Sequence, residues 1–219
     1  MKQNGVVNLP PGRHHVQARG LVRRRALLKA GRELLRKHRL EEVTLPMVSG
    51  KAGIPASSTY YFYPDLKELL KDLAASIADE IMQLEPPSQP VPSWDLLIRQ
   101  LLENVRDFFN SDRAARQLML GPTTAPDIRG AACDNDLRFG IALHQLIAQQ
   151  FVVPVFANQD TIFFRAIRIA ETLFALSVAA SDRIDSEHFE DAVNATTAYL
   201  GLYLPRMMQR VGAKSGTRG

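Results

Sequence analysis

The sequence predicts an all-α fold, and three observations carry that prediction. Apolar residues recur at spacings of three and four along most of the 219 residues. Prolines and glycines interrupt this pattern at helix-length intervals, and nowhere does the strict alternation of a half-buried strand appear. With 46% hydrophobic residues the chain can bury a sizeable core. Cys133 is the single cysteine, which excludes an intrachain disulfide and a thiol-rich metal cluster. No apolar run approaches the roughly 18 to 20 residues that span a bilayer, and residues 1–20 carry charge and proline rather than an apolar leader core, so a cytoplasmic protein is expected.

The elements follow in order. Residues 1–20 mix glycine, Pro10-Pro11 and His14-His15 without apolar periodicity, which predicts a flexible basic arm. From Arg23 to about His38, Leu27, Leu28, Ala30, Leu34 and Leu35 line one face while Arg24, Arg25, Arg32, Arg36 and Lys37 take the other, giving a basic amphipathic first helix. Thr44 is placed to cap a second, short helix, with Pro46 in its first turn, where a missing N–H costs nothing, and Gly53 at its end. Residues 56–63 lie between Pro55 and Pro64 and suffice for one small helix. Asp65 with Glu68 three residues on forms a capping box for a fourth helix, striped by Leu66, Leu69, Leu70, Leu73, Ile77, Ile81 and Leu84.

Four prolines between Pro86 and Pro92 make a connector that cannot continue a helix. Beyond it, Ser93 can cap a helix carrying Trp94, Leu97, Leu101, Val105 and Phe108 on one face. Asp112 opens a shorter helix halted by Gly121-Pro122, and another starts at Asp127 or Asp136 and runs to Phe151. Two long helices close the chain. One, about 160–180, is apolar on much of its circumference. The other, about 186–208, spaces Phe189, Val193, Thr196, Leu200, Tyr203 and Met207 by threes and fours beside a slim face of Ala192, Ala195, Ala198 and Gly201.

The charge is lopsided. Residues 1–40 hold eleven Lys/Arg against one acid, Glu33, whereas residues 41–85 hold three bases against eight acids. A field concentrated at one end points to a polyanion there, nucleic acid or an anionic membrane. A membrane-surface role would want aromatic residues on the apolar side of the first helix, which has Leu and Ala instead. Two short helices joined by a tight glycine turn, behind a basic helix, are the physical description of a helix-turn-helix, whose second helix is narrow enough for the major groove of DNA.

The residues of this segment resemble the signature of TetR (tetracycline repressor) family transcriptional regulators: Thr44-Leu45, Val48, Ala52-Gly53-Ile54, Ser58-Thr59-Tyr60, Tyr63-Pro64-Asp65 and Leu69. The resemblance covers about Arg24 to Leu70. The chain departs from the pattern at Arg39, Pro55, Phe62 and Leu66, where that family usually has Gly, Ser, His and Lys. The expected architecture is an N-terminal three-helix DNA-binding head and a C-terminal ligand-binding and dimerisation bundle, about nine helices in all. Residues 1–20 form the arm, 21–66 the head, 67–211 the body and 212–219 a flexible tail.

The function expected from this is that of a sequence-specific DNA-binding regulator, a repressor released from a near-palindromic operator by a small-molecule effector. A family member that activates, or that takes no small ligand, is the alternative, and an all-helical enzyme a remote one. Ser57, Ser58, Thr59 and Tyr61 are expected to face the groove, where hydroxyls bond base edges or phosphates and a tyrosine ring can meet a thymine methyl. The resemblance makes Tyr60 the residue that grips phosphate. Arg24 and Arg25 are expected on the DNA backbone together with Thr44, and Lys67 is a substitute for the family Lys missing at Leu66. Phe62 and Tyr63 are assigned to the core.

One head reads few base pairs, so a homodimer is expected, joined through the last two helices at Phe174, Phe189, Val193, Thr196, Leu200 and Tyr203. The family implies a pocket among helices four to eight, with helix four as the lever to the heads. Met82, Phe108, Met119, His144, Phe151, Phe163 and Phe174 are its expected lining. No catalytic motif stands out: there is no Gly-x-Ser-x-Gly, no His-Glu-x-x-His, and Gly50-Lys51 lacks the upstream glycine of a P-loop. The acidic pairs at Asp134 to Asp136 and Asp182 to Asp185 suit caps and turns better than metal, so neither metal nor cofactor is expected.

Overall fold

The computed structural model describes residues 12–86 and 89–212, with the side chains of 12–18, 126–127 and 129–136 outside that description. Local chemistry sets the helix boundaries. Helix α1 (Gly12–Leu35) is followed by a 3-10 turn at Leu40–Glu42. Helix α2 (Leu45–Ala52) is capped by Thr44, whose Oγ1 accepts from the Met47 N–H at 3.4 Å, and it stops at Gly53, whose φ of 65° is the left-handed region open to glycine. Helix α3 (Ala56–Phe62) leads through an extended Tyr63 to α4 (Leu66–Met82), where Asp65 Oδ1 accepts from the Glu68 N–H at 2.9 Å.

Helix α5 (Trp94–Ser111) gives way at Asp112, whose carboxylate caps α6 (Arg113–Ala115) by accepting from the Ala114 N–H at 3.0 Å. That short helix runs directly into a π-helical turn, Arg116–Leu120. Helices α7 (Pro126–Gln150), α8 (Gln159–Ser181) and α9 (Ser186–Leu200) complete the body.

Two boundaries and one buried face differ from the sequence expectations. The arm expected over residues 1–20 is already helical from Gly12, and residues 1–11 lie outside the described residues, as does the tail from 213 onward. Helix α9 ends at Leu200 rather than near 208, because the ring of Pro205 would collide with the carbonyl four residues back at Gly201 and has no N–H to give. The buried stripe of α5 is Trp94, Leu97, Ile98, Leu102 and Phe109, one position round from the expected face. The proline-rich connector is docked: Val91 is buried, its N–H donates to Gln150 Oε1 at 3.2 Å, and its carbonyl accepts from Arg210.

One continuous hydrophobic core runs from Leu27 of α1 to Leu204 after α9. Helix α8 packs against both α7 and α9, α7 lies on α4, and α1 rests on α2, α4 and α6. At Gly140 a β-carbon would stand 2.6 Å from the backbone nitrogen of Phe164, so a residue without a side chain is what lets α7 and α8 approach this closely.

Candidate nucleic-acid interface and internal cavity

The head presents α3 through one stripe. Ala56, Ser57, Tyr60 and Tyr61 are exposed, Tyr60 by 51% and Tyr61 by 84%, while Ser58 is half-buried. Seven residues make a rod about 10 Å long, which fits a major groove about 12 Å wide. The Tyr61 ring is braced edge-on by Phe62 at 5.3 Å between centroids. Thr59 does not join this face. It is fully buried and its hydroxyl donates to the Pro55 carbonyl at 3.3 Å, because position 59 falls on the side of α3 that packs into the head. Thr44 is exposed at the start of α2.

The charge of the head is partly spent on its own cohesion. Arg24, expected on the DNA backbone, is also an internal tie: its guanidinium donates to Asp72 of α4, at 2.9 Å from Nε, and to the Tyr63 hydroxyl at 3.1 Å, while its side chain stays half-exposed. The Tyr63 hydroxyl in turn donates to Asp72 at 2.8 Å. Burial and the bond to Asp72 push the Tyr63 hydroxyl up to about 12 against the opposing bond from Arg24, so it stays a neutral donor. Lys51 pairs with Glu33 at 3.2 Å. Arg19, Arg23, Arg25 and Lys29 remain exposed along α1, and Lys67 is exposed at the start of α4. A β-carbon at Gly20 would lie 3.8 Å from the Phe62 ring, so the early turns of α1 run beside the end of α3.

Behind the head, a cavity of about 170 Å³ opens between α4, α5, the π-helical turn, α7, α8 and α9. Of the side chains expected to line it, Met82, Met119 and Phe174 do. The other four do not. Phe163 is fully buried in the core and His144 stacks on it at 4.9 Å. Phe151 is buried at the end of α7 under the Arg210 guanidinium. Phe108 lies one position round from Phe109, which does reach the cavity. The polar residues in the wall are Glu85, Asn104, Glu171 and Thr196.

A polar clasp joins head and body. Arg32 of α1 donates to Glu80 of α4 at 2.8 Å and to Asp112 at 2.7 Å, and Arg36 donates to Asp112 at 2.8 Å. Burial raises the Asp112 carboxyl, but the bonds from Arg36 and Arg32 outweigh it and hold the group at about 2. Next to this, the Gln117 side chain reaches the backbone at the end of α1. The sequence reading missed this clasp, although the excess of arginines on a face of α1 that also contacts acidic α4 is its trace in the sequence.

Comparison with solved structures places the fold. A TetR-family regulator from Streptomyces coelicolor superposes over 84% of this chain and 98% of its own, with a TM-score of 0.65 at 16% identity. A TetR regulator from Rhodococcus sp. RHA1 covers 84% and 97%, with a TM-score of 0.66 at 15% identity. The chain has the TetR-regulator fold. The repressor of a Stenotrophomonas maltophilia multidrug efflux pump shares it as well, over 83% of this chain and 90% of its own, at 17% identity and a TM-score of 0.57. No family model matches the sequence, and no curated protein matches it.

In this TetR fold the expected dimer contacts need correction. Phe174, Phe189, Val193, Thr196 and Leu200 are all at most 4% exposed in the single chain, and Tyr203 is half-buried against Phe156 at 5.5 Å. The five buried ones are covered within their own bundle, and of the six only Tyr203 keeps part of its surface outside. The outward face of the same helices carries Thr172, Leu176, Ala179 and Ala180 on α8 and Asn194 and Ala198 on α9, with Leu202 just beyond. Leu176 is 55% and Leu202 76% exposed. Among the described residues no group of three His, Cys, Asp or Glu is placed to hold a metal, and no helix is long and apolar enough to cross a membrane.

Proposed function

We propose that the chain is a DNA-binding transcriptional repressor that acts as a homodimer in the cytoplasm and leaves its operator when a small molecule fills the cavity. The observation that carries this is the exposed stripe Ser57, Tyr60 and Tyr61 on a seven-residue helix held behind the Gly53 turn. Two exposed tyrosines on so short a helix contribute nothing to the core, and their rings and hydroxyls suit base edges and phosphates. Arg25 and Lys67, with Thr44, supply the sequence-independent hold on the backbone. That a fold neighbour is the repressor of an efflux pump supports the repressing mode.

The head comprises residues 21–66, and the body from 67 to 211 joins a second copy through the outward face of α8 and α9 carrying Leu176 and Leu202. A twofold dimer places its recognition helices about 34 to 36 Å apart, or a multiple of that, and reads a near-palindrome. The coupling runs through the π-helical turn as well as α4. Met119 and Leu120 touch the cavity, while Gln117 in the same turn touches α1. A ligand that binds the DNA-free arrangement better by about 3 kcal/mol lowers operator affinity more than a hundredfold.

Selection of duplexes from a random pool by the purified full chain tests the reading. Enrichment of a near-palindrome supports it. A pool that stays unenriched, or binding that ignores sequence altogether, contradicts it.

A further inference from the structure

The cavity carries a chemical signature that narrows what it takes. Threonines on helices ordinarily turn their hydroxyls back to a carbonyl three or four residues earlier. Thr197 does so, donating to the Val193 carbonyl at 2.7 Å and to that of Asn194 at 3.1 Å, and Thr172 does so to the Arg168 carbonyl at 2.7 Å. Thr196 does not. Its Oγ1 is buried without a hydrogen-bond partner, the residue is 1% exposed, and it forms part of the cavity wall. A buried unsatisfied hydroxyl opposes folding, and valine would fill the same volume without that cost. A threonine here makes physical sense when something inside the cavity completes its hydrogen bond.

The rest of the wall narrows the partner. Leu101, Val105, Phe109, Leu143, Ile167 and Phe174 make it apolar. The other polar lining groups are already engaged or set at the rim. Asn104 donates to the Glu85 carbonyl at 3.1 Å, Glu171 is ion-paired with Arg168, and the Glu85 side chain is exposed. Two carboxylates in the wall oppose an anionic ligand. The volume of about 170 Å³ compares with the roughly 150 Å³ in which an apolar protein cavity accepts benzene.

We infer that the cavity binds an uncharged, largely apolar molecule built on about one ring, held in orientation by a single hydrogen bond to Thr196 Oγ1. This rests on the reading of the cavity as the effector site and adds the class of effector.

The test uses the full chain without DNA, titrated calorimetrically with three probes of similar shape: 4-ethylphenol, 4-ethyltoluene and 4-ethylbenzoate. The wild type is expected to bind 4-ethylphenol about tenfold more tightly than 4-ethyltoluene, the factor carried by one good hydrogen bond, and 4-ethylbenzoate most weakly. In Thr196→Val the phenol falls to the affinity of the toluene, whose own binding is unchanged, and Thr196→Ser restores the gap. Thermal unfolding of Thr196→Val, at or above the wild-type midpoint, shows that the variant is folded. Equal binding of the two neutral probes to the wild type would mean that water satisfies Thr196, and would overturn the inference. So would tightest binding of the benzoate, a parallel loss of both neutral probes in Thr196→Val, or no binding of any probe. Because these titrations contain no DNA, such a failure leaves operator selection, measured separately, untouched, and a failed selection alongside the expected titrations counts against the regulatory reading alone.

Discussion

Gln117 closes the C-terminal end of α1: its Nε2 donates to the carbonyls of Leu35 at 2.6 Å and His38 at 2.9 Å, while its Oε1 accepts from the Leu40 N–H at 3.0 Å. One amide thereby replaces the helical partners that the end of α1 lacks. Gln117→Ala strips all three bonds from a part-buried site, and a loss of about 1–3 kcal/mol is expected. Urea unfolding should show a lower midpoint at unchanged slope, and an unchanged midpoint would show the contact to be idle. The same variant should loosen the link between cavity and head, so that ligand relieves DNA binding less than in the wild type.

Asp112 makes the clasp pH-dependent. Its carboxyl is held at about 2, below its ordinary value of 3.8, so it binds its proton more weakly in the folded chain than in the unfolded one. That favours folding fully above about pH 4 and is forfeited as the pH falls toward 2, a contribution of roughly 2 kcal/mol. Asp112→Asn should flatten the stability profile across that window, read as unfolding midpoint against pH. A wild-type profile with no drop between pH 4 and 2 would contradict the assignment.

Gly140→Ala should cost about 1–3 kcal/mol by forcing α7 and α8 apart, since the new methyl would meet backbone atoms of Phe164 rather than the yielding end of a side chain. Differential scanning calorimetry reads this as a lower midpoint. An unchanged midpoint would show that the two helices separate freely.

Substitutions at Leu176 and Phe189 should separate the proposed dimerisation from folding. Leu176→Glu places a charge on the exposed face of α8 and should shift the chain from dimer to monomer in sedimentation without loss of helicity. Phe189→Ala removes a buried ring and should destabilise by about 3–5 kcal/mol. If Leu176→Glu stays dimeric, the proposed seam lies elsewhere.

What the sequence made legible follows from where the information sits. Thr44, Asp65 and Asp112 announce helix starts because the capping bond spans only two or three residues, and Gly53 announces a stop because its φ is local. The inward face of α9 was legible as a stripe, but its neighbour was not. Period fixes that Phe189, Val193, Thr196 and Leu200 are covered, and they are covered by their own chain; of the slim face, Ala192 is buried with them while Ala198, beside Asn194, stays outside. Phe108 and Phe109 differ by one step on a helix whose apolar arc is wide enough to include both. Arg24 and Gln117 were illegible because their partners, Asp72 and the Leu35 carbonyl, lie 48 and 82 residues away.

Anisotropy of a labelled copy of the selected duplex tests directly whether α3 is the reading head. The wild type should saturate at two chains per duplex, its affinity should fall steeply between 50 and 200 mM salt, by roughly a factor of 10³ or more if about six phosphates are contacted, and Tyr61→Ala should bind at least about tenfold more weakly while melting at the wild-type temperature. Wild-type binding that is indifferent to salt, or a Tyr61→Ala variant indistinguishable from the wild type on that duplex, would contradict it.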